Sequence, residues 1–389
     1  MGSTDKNNTK NTAKSVYIHI PFCKSKCFYC GFFSKPPDRF DVQRVLNAEI
    51  AELKKASFAK PVKTVYTGGG SPGSIGEKTL CAFLKKIVEL TGKAGEFTVE
   101  INPADADEKM LNNLKNIGVN RISIGAQSFI QSELDFLGRR YKAEQIAQTI
   151  KTARDAGVEN IGIDLIFAVP GSNLKSWQKN LQKVIELDVP HISAYSLTYE
   201  KDTALEEIKS SGKVTAIDEE LDRKMYETAI ESLTTAGIRH YEISNFARPG
   251  FECKHNIAYW KNEYYLGIGP AAASYISDFR TENISDIEKY VQCIEQNKEP
   301  TAESVKLTDI EKACQTAVLN LRLTEGIELT VYKQKTGFDL YELFGTSIEK
   351  NLKSNLLKLE NNRLSLTKPA LPIADTVLCD FAEPDSRLL

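Results

Sequence analysis

Charge of one sign is missing from this chain: its 389 residues hold 50 Lys and Arg against 52 Asp and Glu, a formal charge of −2. Such a balance gives no electrostatic footprint for a nucleic-acid backbone or an anionic membrane surface. Long apolar runs are missing too. The most hydrophobic stretch, Ile161 to Val169, is short and interrupted by Asp164, so its length alone excludes a bilayer-spanning helix. Residues 1–14, MGSTDKNNTKNTAK, lack the apolar segment and small-residue cleavage site of a secretory signal and read as a disordered tail. A soluble, cytoplasmic protein acting on a small molecule is therefore expected. Eight cysteines in so long a chain do not make a disulfide scaffold, and three of them, Cys23, Cys27 and Cys30, fall close together while the others are scattered. Clustering of that kind points to metal. The scattered Cys81, Cys293, Cys314 and Cys379 read as small hydrophobes.

What is present is alternation. From Val16 onward short β-branched runs alternate with longer amphipathic stretches, the pattern of repeated βα units around a parallel sheet. The expected strands are Val16 to Ile20, Thr64 to Tyr66, Phe97 to Ile101, Arg121 to Ile124, Asn160 to Phe167 and His191 to Leu197. A weak repeat, Gly118-Val119-Asn120-Arg121-Ile122, Gly157-Val158-Glu159-Asn160-Ile161 and Gly237-Ile238-Arg239-His240-Tyr241, places a helix-closing glycine before a strand and adds a further strand at Arg239 to Ile243. Six strands are too few to close an eight-stranded barrel. The expected fold class is α/β: an open, partial (βα)6 barrel over residues 15–285. A small, mainly helical, winged-helix-like domain follows over 286–389, with helices at Asp309 to Leu321 and Ser347 to Leu357 and a strand pair near Arg363 to Leu366.

The first strand runs Tyr17-Ile18-His19-Ile20-Pro21-Phe22 into Cys23-Lys24-Ser25-Lys26-Cys27-Phe28-Tyr29-Cys30, a CxxxCxxC loop. Three nearby thiolates can hold three corners of a cubane and leave one iron open to another ligand. A structural zinc site is the competing reading and needs a fourth ligand such as His19. The loop resembles the signature of the radical S-adenosylmethionine (SAM) superfamily, and Tyr-x-His-Ile-Pro-Phe-Cys resembles its coproporphyrinogen dehydrogenase/HemW group. The resemblance implies a [4Fe-4S] cluster on Cys23, Cys27 and Cys30, with SAM chelating the open iron and being cleaved to a 5′-deoxyadenosyl radical by one electron from a donor.

Further positions carry the resemblance along the chain. Gly68-Gly69-Gly70-Ser71-Pro72 is similar to the family's glycine motif, where backbone approaches the methionine part of SAM and a Cβ would intrude. Glu100 and Gln127 match SAM-contacting positions, Arg139 in Leu137-Gly138-Arg139 the cation near the SAM carboxylate, and Asp164 a position near the ribose hydroxyls. Tyr17 and Tyr29 match positions beside SAM, and either can equally be core packing. An acid inside an otherwise apolar strand is costly without a partner, which makes Asp164 the most informative of these.

Two functions share this group: oxidative decarboxylation of coproporphyrinogen III to protoporphyrinogen IX, and HemW-type haem chaperoning, in which haem is bound and passed to client proteins. The dehydrogenases resemble CxxxCxxCxC, whereas Cys30 here is followed by Gly31-Phe32-Phe33, and their longer N-terminal arm has no counterpart in the residues before Ser15. His255-Asn256-Ile257-Ala258-Tyr259-Trp260 is similar to the HNxxYW motif of HemW-like proteins. It makes His255, Tyr259 and Trp260 candidate haem contacts, with the alternative that the segment locks the barrel to the C-terminal domain. Cys253 can serve as an axial ligand or, more simply, as a buried thiol. The family's Leu-Gly-Arg-x-His is Leu137-Gly138-Arg139-Arg140-Tyr141 here, which removes that histidine and leaves Arg139. Val318-Leu319-Asn320-Leu321-Arg322-Leu323 resembles the family's HemN-like terminal domain, which suits contact with a client or, at the periphery, a membrane complex.

Overall fold

The computed structural model describes residues 12–385. Six strands run parallel in sequence order: β1 (Ser15–Ile20), β2 (Thr64–Gly69), β3 (Glu96–Ile101), β4 (Arg121–Gln127), β5 (Asn160–Phe167) and β6 (His191–Ser196). Each register is set by alternation. Val16, Ile18 and Ile20 of β1 are wholly buried against the outer helices, which leaves Tyr17 and His19 facing inward. The outer helices return the favour with apolar stripes, such as Leu46, Ile50 and Leu53 of Val42–Lys55 and Leu80, Leu84 and Ile87 of Glu77–Thr91. Asp41, Asp107 and Asn173 start three of the helices by accepting from backbone N–H groups. Gly118, at φ 110°, ends the helix Glu108–Ile117 in the left-handed region, as its place in the repeat predicts.

Both edges depart from expectation. The predicted further strand exists as β7 (Arg239–Glu242), but β8 (Asn245–Ala247) folds back at once and inserts antiparallel between β6 and β7. A two-residue link can only make a hairpin, so β7 ends up on the outside. At the other edge, β9 (Tyr265–Ile268) lies parallel to β1, and β10 (Ala273–Ile276), β11 (Phe279–Asn283) and β12 (Thr301–Lys306) continue as an antiparallel meander. The result is a single 12-stranded sheet.

The expected boundary at 285/286 therefore falls inside the larger unit. Ile287, Tyr290, Val291 and Ile294 of the helix Ile287–Glu295 belong to its core, and β12 closes its edge. A second core starts at Ala313, where the helices Asp309–Leu321, Leu329–Thr336 and Leu340–Lys353 pack with β13 (Ile327–Glu328), β14 (Leu357–Glu360) and β15 (Arg363–Leu366). Those three strands order as β13-β15-β14, a small winged-helix-like unit. The expected tail is also too long: Ala13 is fully buried, Ala59 N donates to Ala13 O at 2.9 Å and Lys63 N to Lys14 O at 2.7 Å. The rest of that tail, residues 1–11, lies outside the described residues. Among the described residues no helix is long and apolar enough to cross a membrane.

Candidate iron-sulfur and cofactor site

The loop after β1 is pinned at both ends. Cys23 N donates to Lys35 O at 3.1 Å and Lys35 N to Pro21 O at 2.9 Å, while Gly70 N and Ser71 N donate to Ile20 O and Phe22 O at 2.9 and 2.7 Å. Cys23, Cys27 and Cys30 are free thiols at the mouth of a cavity of about 890 Å³ inside the strands. Among the described residues no three His, Cys, Asp or Glu are gathered closely enough to hold a single metal ion. Burial pushes the Cys23 and Cys30 thiols up, with Cys27 adding repulsion, and a bound cation is what would hold them as thiolates. Arg139 Nη1 donates to Cys27 Sγ at 3.4 Å. His19 does not complete a zinc set: its Nε2 meets Phe33 O at 2.9 Å and its Nδ1 meets Tyr17 Oη at 3.0 Å. Three thiols on one loop, open on the cavity side, fit three corners of a cubane.

The glycine motif has a steric reason in the fold itself. A Cβ on Gly68 would come within 2.5 Å of the Glu100 carboxyl, one on Gly69 within 2.4 Å of the His19 ring, and one on Gly70 within 2.3 Å of Phe22 O. The absence of side chains lets the end of β2 close onto the cluster loop, and Gly69, Gly70 and Ser71 line the cavity. Glu100 accepts from Tyr66 Oη at 2.8 Å and Gly69 N at 3.2 Å. Burial first, and Asp164 after it, raise its carboxyl to about 7. Asp164 accepts from Ser123 Oγ at 3.3 Å and is likewise raised by burial, against the pull of Ser193 and Arg121. Gln127 is held at φ 63°, a conformation costly for a side chain with a Cβ and of the kind that gathers at ligand sites. Arg139 Nη2 donates to Gly125 O at 2.7 Å, and Tyr141, in place of the family's histidine, donates to Gly125 O and Ala126 O at 2.9 and 2.7 Å.

Tyr29, Glu100, Gln127, Arg139 and Asp164 thus share one cavity with the three cysteines. Tyr66, Arg121, Ser123, His191, Tyr195 and Asn256 face it as well and were not singled out from sequence. Counting back in twos from Gln127 reaches Ser123 and Arg121, so the strand period held that signal.

Tyr17 and, from the HNxxYW segment, Tyr259 and Trp260 fall elsewhere. Tyr17 lines a second cavity, of about 960 Å³, between the β1–β9 edge and the C-terminal unit, together with Tyr259, Trp260 and Tyr265. Gly31 and Phe32 line both cavities. The helix Lys254–Trp260 closes the foot of the strands: Glu96 accepts from Lys254 N and His255 N, both at 3.0 Å. His255 is buried, its Nδ1 against Thr64 Oγ1 at 2.7 Å and its Nε2 against Tyr259 Oη at 2.8 Å. Both ring nitrogens thus hydrogen-bond within the protein. Cys253 is fully buried, and its thiol is pushed up to about 12 by that burial.

A Radical SAM superfamily model matches residues 17–184 and a HemN C-terminal domain model residues 307–373. Fold and site together define a radical SAM protein, and that superfamily carries a [4Fe-4S] cluster and SAM. The chain is 34% identical over 374 residues to the heme chaperone HemW of Bacillus subtilis, covering 95% of this chain and 99% of that one. It is 32% identical over 374 residues to the heme chaperone HemW of Lactococcus lactis, covering 95% and 98%. It belongs to the HemW family. The coproporphyrinogen III oxidase HemN of Escherichia coli shares the fold, with a TM-score of 0.82 at 20% identity over 97% of this chain and 91% of that one.

Proposed function

We propose that this chain is a haem chaperone: a cytoplasmic protein that binds haem next to a SAM-bound [4Fe-4S] cluster and passes it to a client protein. The observation that carries the reading is the end-to-end match, 34% identical over 95% of this chain and 99% of the relative named a heme chaperone. Cys23, Cys27 and Cys30 hold the cluster. Gly69, Gly70, Ser71, Glu100, Gln127, Arg139 and Asp164 receive SAM, Arg139 through its guanidinium and the two carboxylates toward a cation. When bound, the two groups supply one-electron radical chemistry, and an electron donor is required for it. Tyr259 and Trp260 present aromatic faces to the second cavity, as a flat apolar ligand needs. The C-terminal unit suits the client or a membrane-complex partner.

The test is an anaerobic assay of the cluster-reconstituted protein with SAM, a reductant and coproporphyrinogen III, followed by haem titration of the same preparation. No protoporphyrinogen and saturable haem binding are expected. Product formed over many turnovers would instead make this a coproporphyrinogen dehydrogenase, the second activity of the group.

A further inference from the structure

The second cavity lies between two units, its wall built from Phe33 of the cluster loop, Tyr259, Trp260 and Tyr265 of the barrel edge, and Val318 and Leu319 of the helix Asp309–Leu321. At about 960 Å³ it is of the size and aromatic character that take a flat, drug-sized or larger ligand. Four side chains there carry an atom able to bind iron through a ring nitrogen or phenol oxygen: Tyr17, His19, Tyr259 and Tyr265. Hydrogen bonds separate them. Tyr17 Oη is tied to His19 Nδ1, His19 Nε2 to Phe33 O, and Tyr259 Oη to His255 Nε2. Only the half-buried Tyr265 meets a cation, accepting from Arg280 Nη1 at 3.3 Å.

Arg280 is fixed for that purpose. Its Nη2 donates to Asn262 Oδ1 at 2.7 Å, its Nε to Gln315 Oε1 at 3.2 Å, and its plane lies over the Tyr275 ring, 4.0 Å from Cζ to centroid. These neutral partners fix the guanidinium against the phenol oxygen of Tyr265. Glu282, exposed at the rim, is the other charged side chain lining the cavity.

Resting on the chaperone reading, we propose that this interdomain cavity is the haem site and that Tyr265, held by Arg280, is the ligand to ferric iron. On binding, the Tyr265 O–H bond breaks, its proton leaves to solvent, and the phenolate oxygen forms the bond to iron, with no change in oxidation state. Tyrosine is an established proximal ligand for ferric haem. His255 then acts as a positioning residue that holds Tyr259 in the cavity wall. Because Gln315 anchors Arg280 from the C-terminal unit, the ligand is assembled by both units at once.

The experiment titrates ferric haem into the full, cluster-reconstituted chain and into Tyr265→Phe, Tyr259→Phe, His255→Gln, Arg280→Gln and Ala273→Trp, read by absorption and by resonance Raman for an iron–phenolate vibration. Circular dichroism melts confirm that each variant is folded. Wild type, Tyr259→Phe and His255→Gln should show the phenolate vibration, Tyr265→Phe should lose it, and Arg280→Gln should bind about tenfold more weakly, as loss of one charged hydrogen-bond partner implies. Ala273→Trp, which fills the cavity, should weaken binding without touching the ligand. Haem bound by wild type with a vibration that survives Tyr265→Phe, or that vanishes in Tyr259→Phe instead, overturns the ligand assignment. Unchanged affinity in Ala273→Trp overturns the cavity. No haem bound by wild type overturns the chaperone reading itself, a result distinguishable from the others.

Discussion

Glu100 sits where burial and the neighbouring Asp164 oppose its ionisation, and two donors, Tyr66 Oη and Gly69 N, only partly restore it. With the carboxyl at about 7, its charge is present above that value and lost below it. SAM carries a sulfonium, so its binding draws on the carboxylate form. Affinity for SAM, measured by equilibrium dialysis, should be flat above pH 7 and fall by up to about tenfold for each pH unit below it. Glu100→Gln should bind about tenfold or more weakly above pH 7 and lose the pH dependence. Affinity that rises on acidification would show that SAM prefers the neutral acid. At Gly70 the limit is steric: the new Cβ of Gly70→Ala meets the backbone oxygen of Phe22, and a backbone atom cannot swing aside. That variant should retain less iron after reconstitution than wild type, by iron and sulfide analysis, because the loop that carries Cys23 is displaced. Asp164 was legible in sequence since an acid in an apolar strand demands a reason, and Glu100 through its match to a family position. For Tyr17 and His255 the motif names the residues without saying on which side of a strand or helix each one lies.

The helix Lys254–Trp260 illustrates what an element adds beyond its residues. Seven residues make a marginal helix on their own, yet Glu96 holds its first N–H groups and His255 links β2 to Tyr259. His255→Ala strands the Thr64 and Tyr259 hydroxyls in a buried place, a loss of about 1–3 kcal/mol for each group left unsatisfied. Its expected signature is a clear drop in melting temperature with iron content unchanged. Unchanged stability would mean that the helix is held from elsewhere. The sequence showed β1 to β6 because each buries one face against helices, leaving β-branched runs closed off by glycine. It hid β12 for the converse reason. All six residues of β12 are exposed, so no burial imposes a period of two, and β13 is only two residues long. The 285/286 boundary was drawn where the visible alternation stopped, while the core went on through Ile294.

Across the whole molecule, buried acids and buried histidines pull stability in opposite directions with pH. The chain has four histidines, and burial lowers all of them, His255 to about 3. Each contributes stability that is full above the unfolded value near 6.5 and is lost as pH falls through it towards the folded value. Glu49, Glu52, Glu100, Asp164 and Glu242 are raised, chiefly by burial. Each of these contributes stability that is full below the ordinary carboxylate range and is lost as pH rises towards the raised value. Between about pH 5 and 6.5 the unfolded chain gains protons on histidine, while the raised carboxyls favour protons on the native chain, so the two slopes oppose each other. Glu49 isolates one side of that balance, since it is fully buried and neither carboxyl oxygen has a partner. Glu49→Gln removes one native-state proton, so its unfolding free energy, from urea titrations, should rise with pH more steeply than wild type by about 1.4 kcal/mol per pH unit in that window. It should match wild type near pH 4.5 and exceed it at pH 8. A variant less stable than wild type at pH 8 would mean that Glu49 is ionised in the fold and held there by a partner.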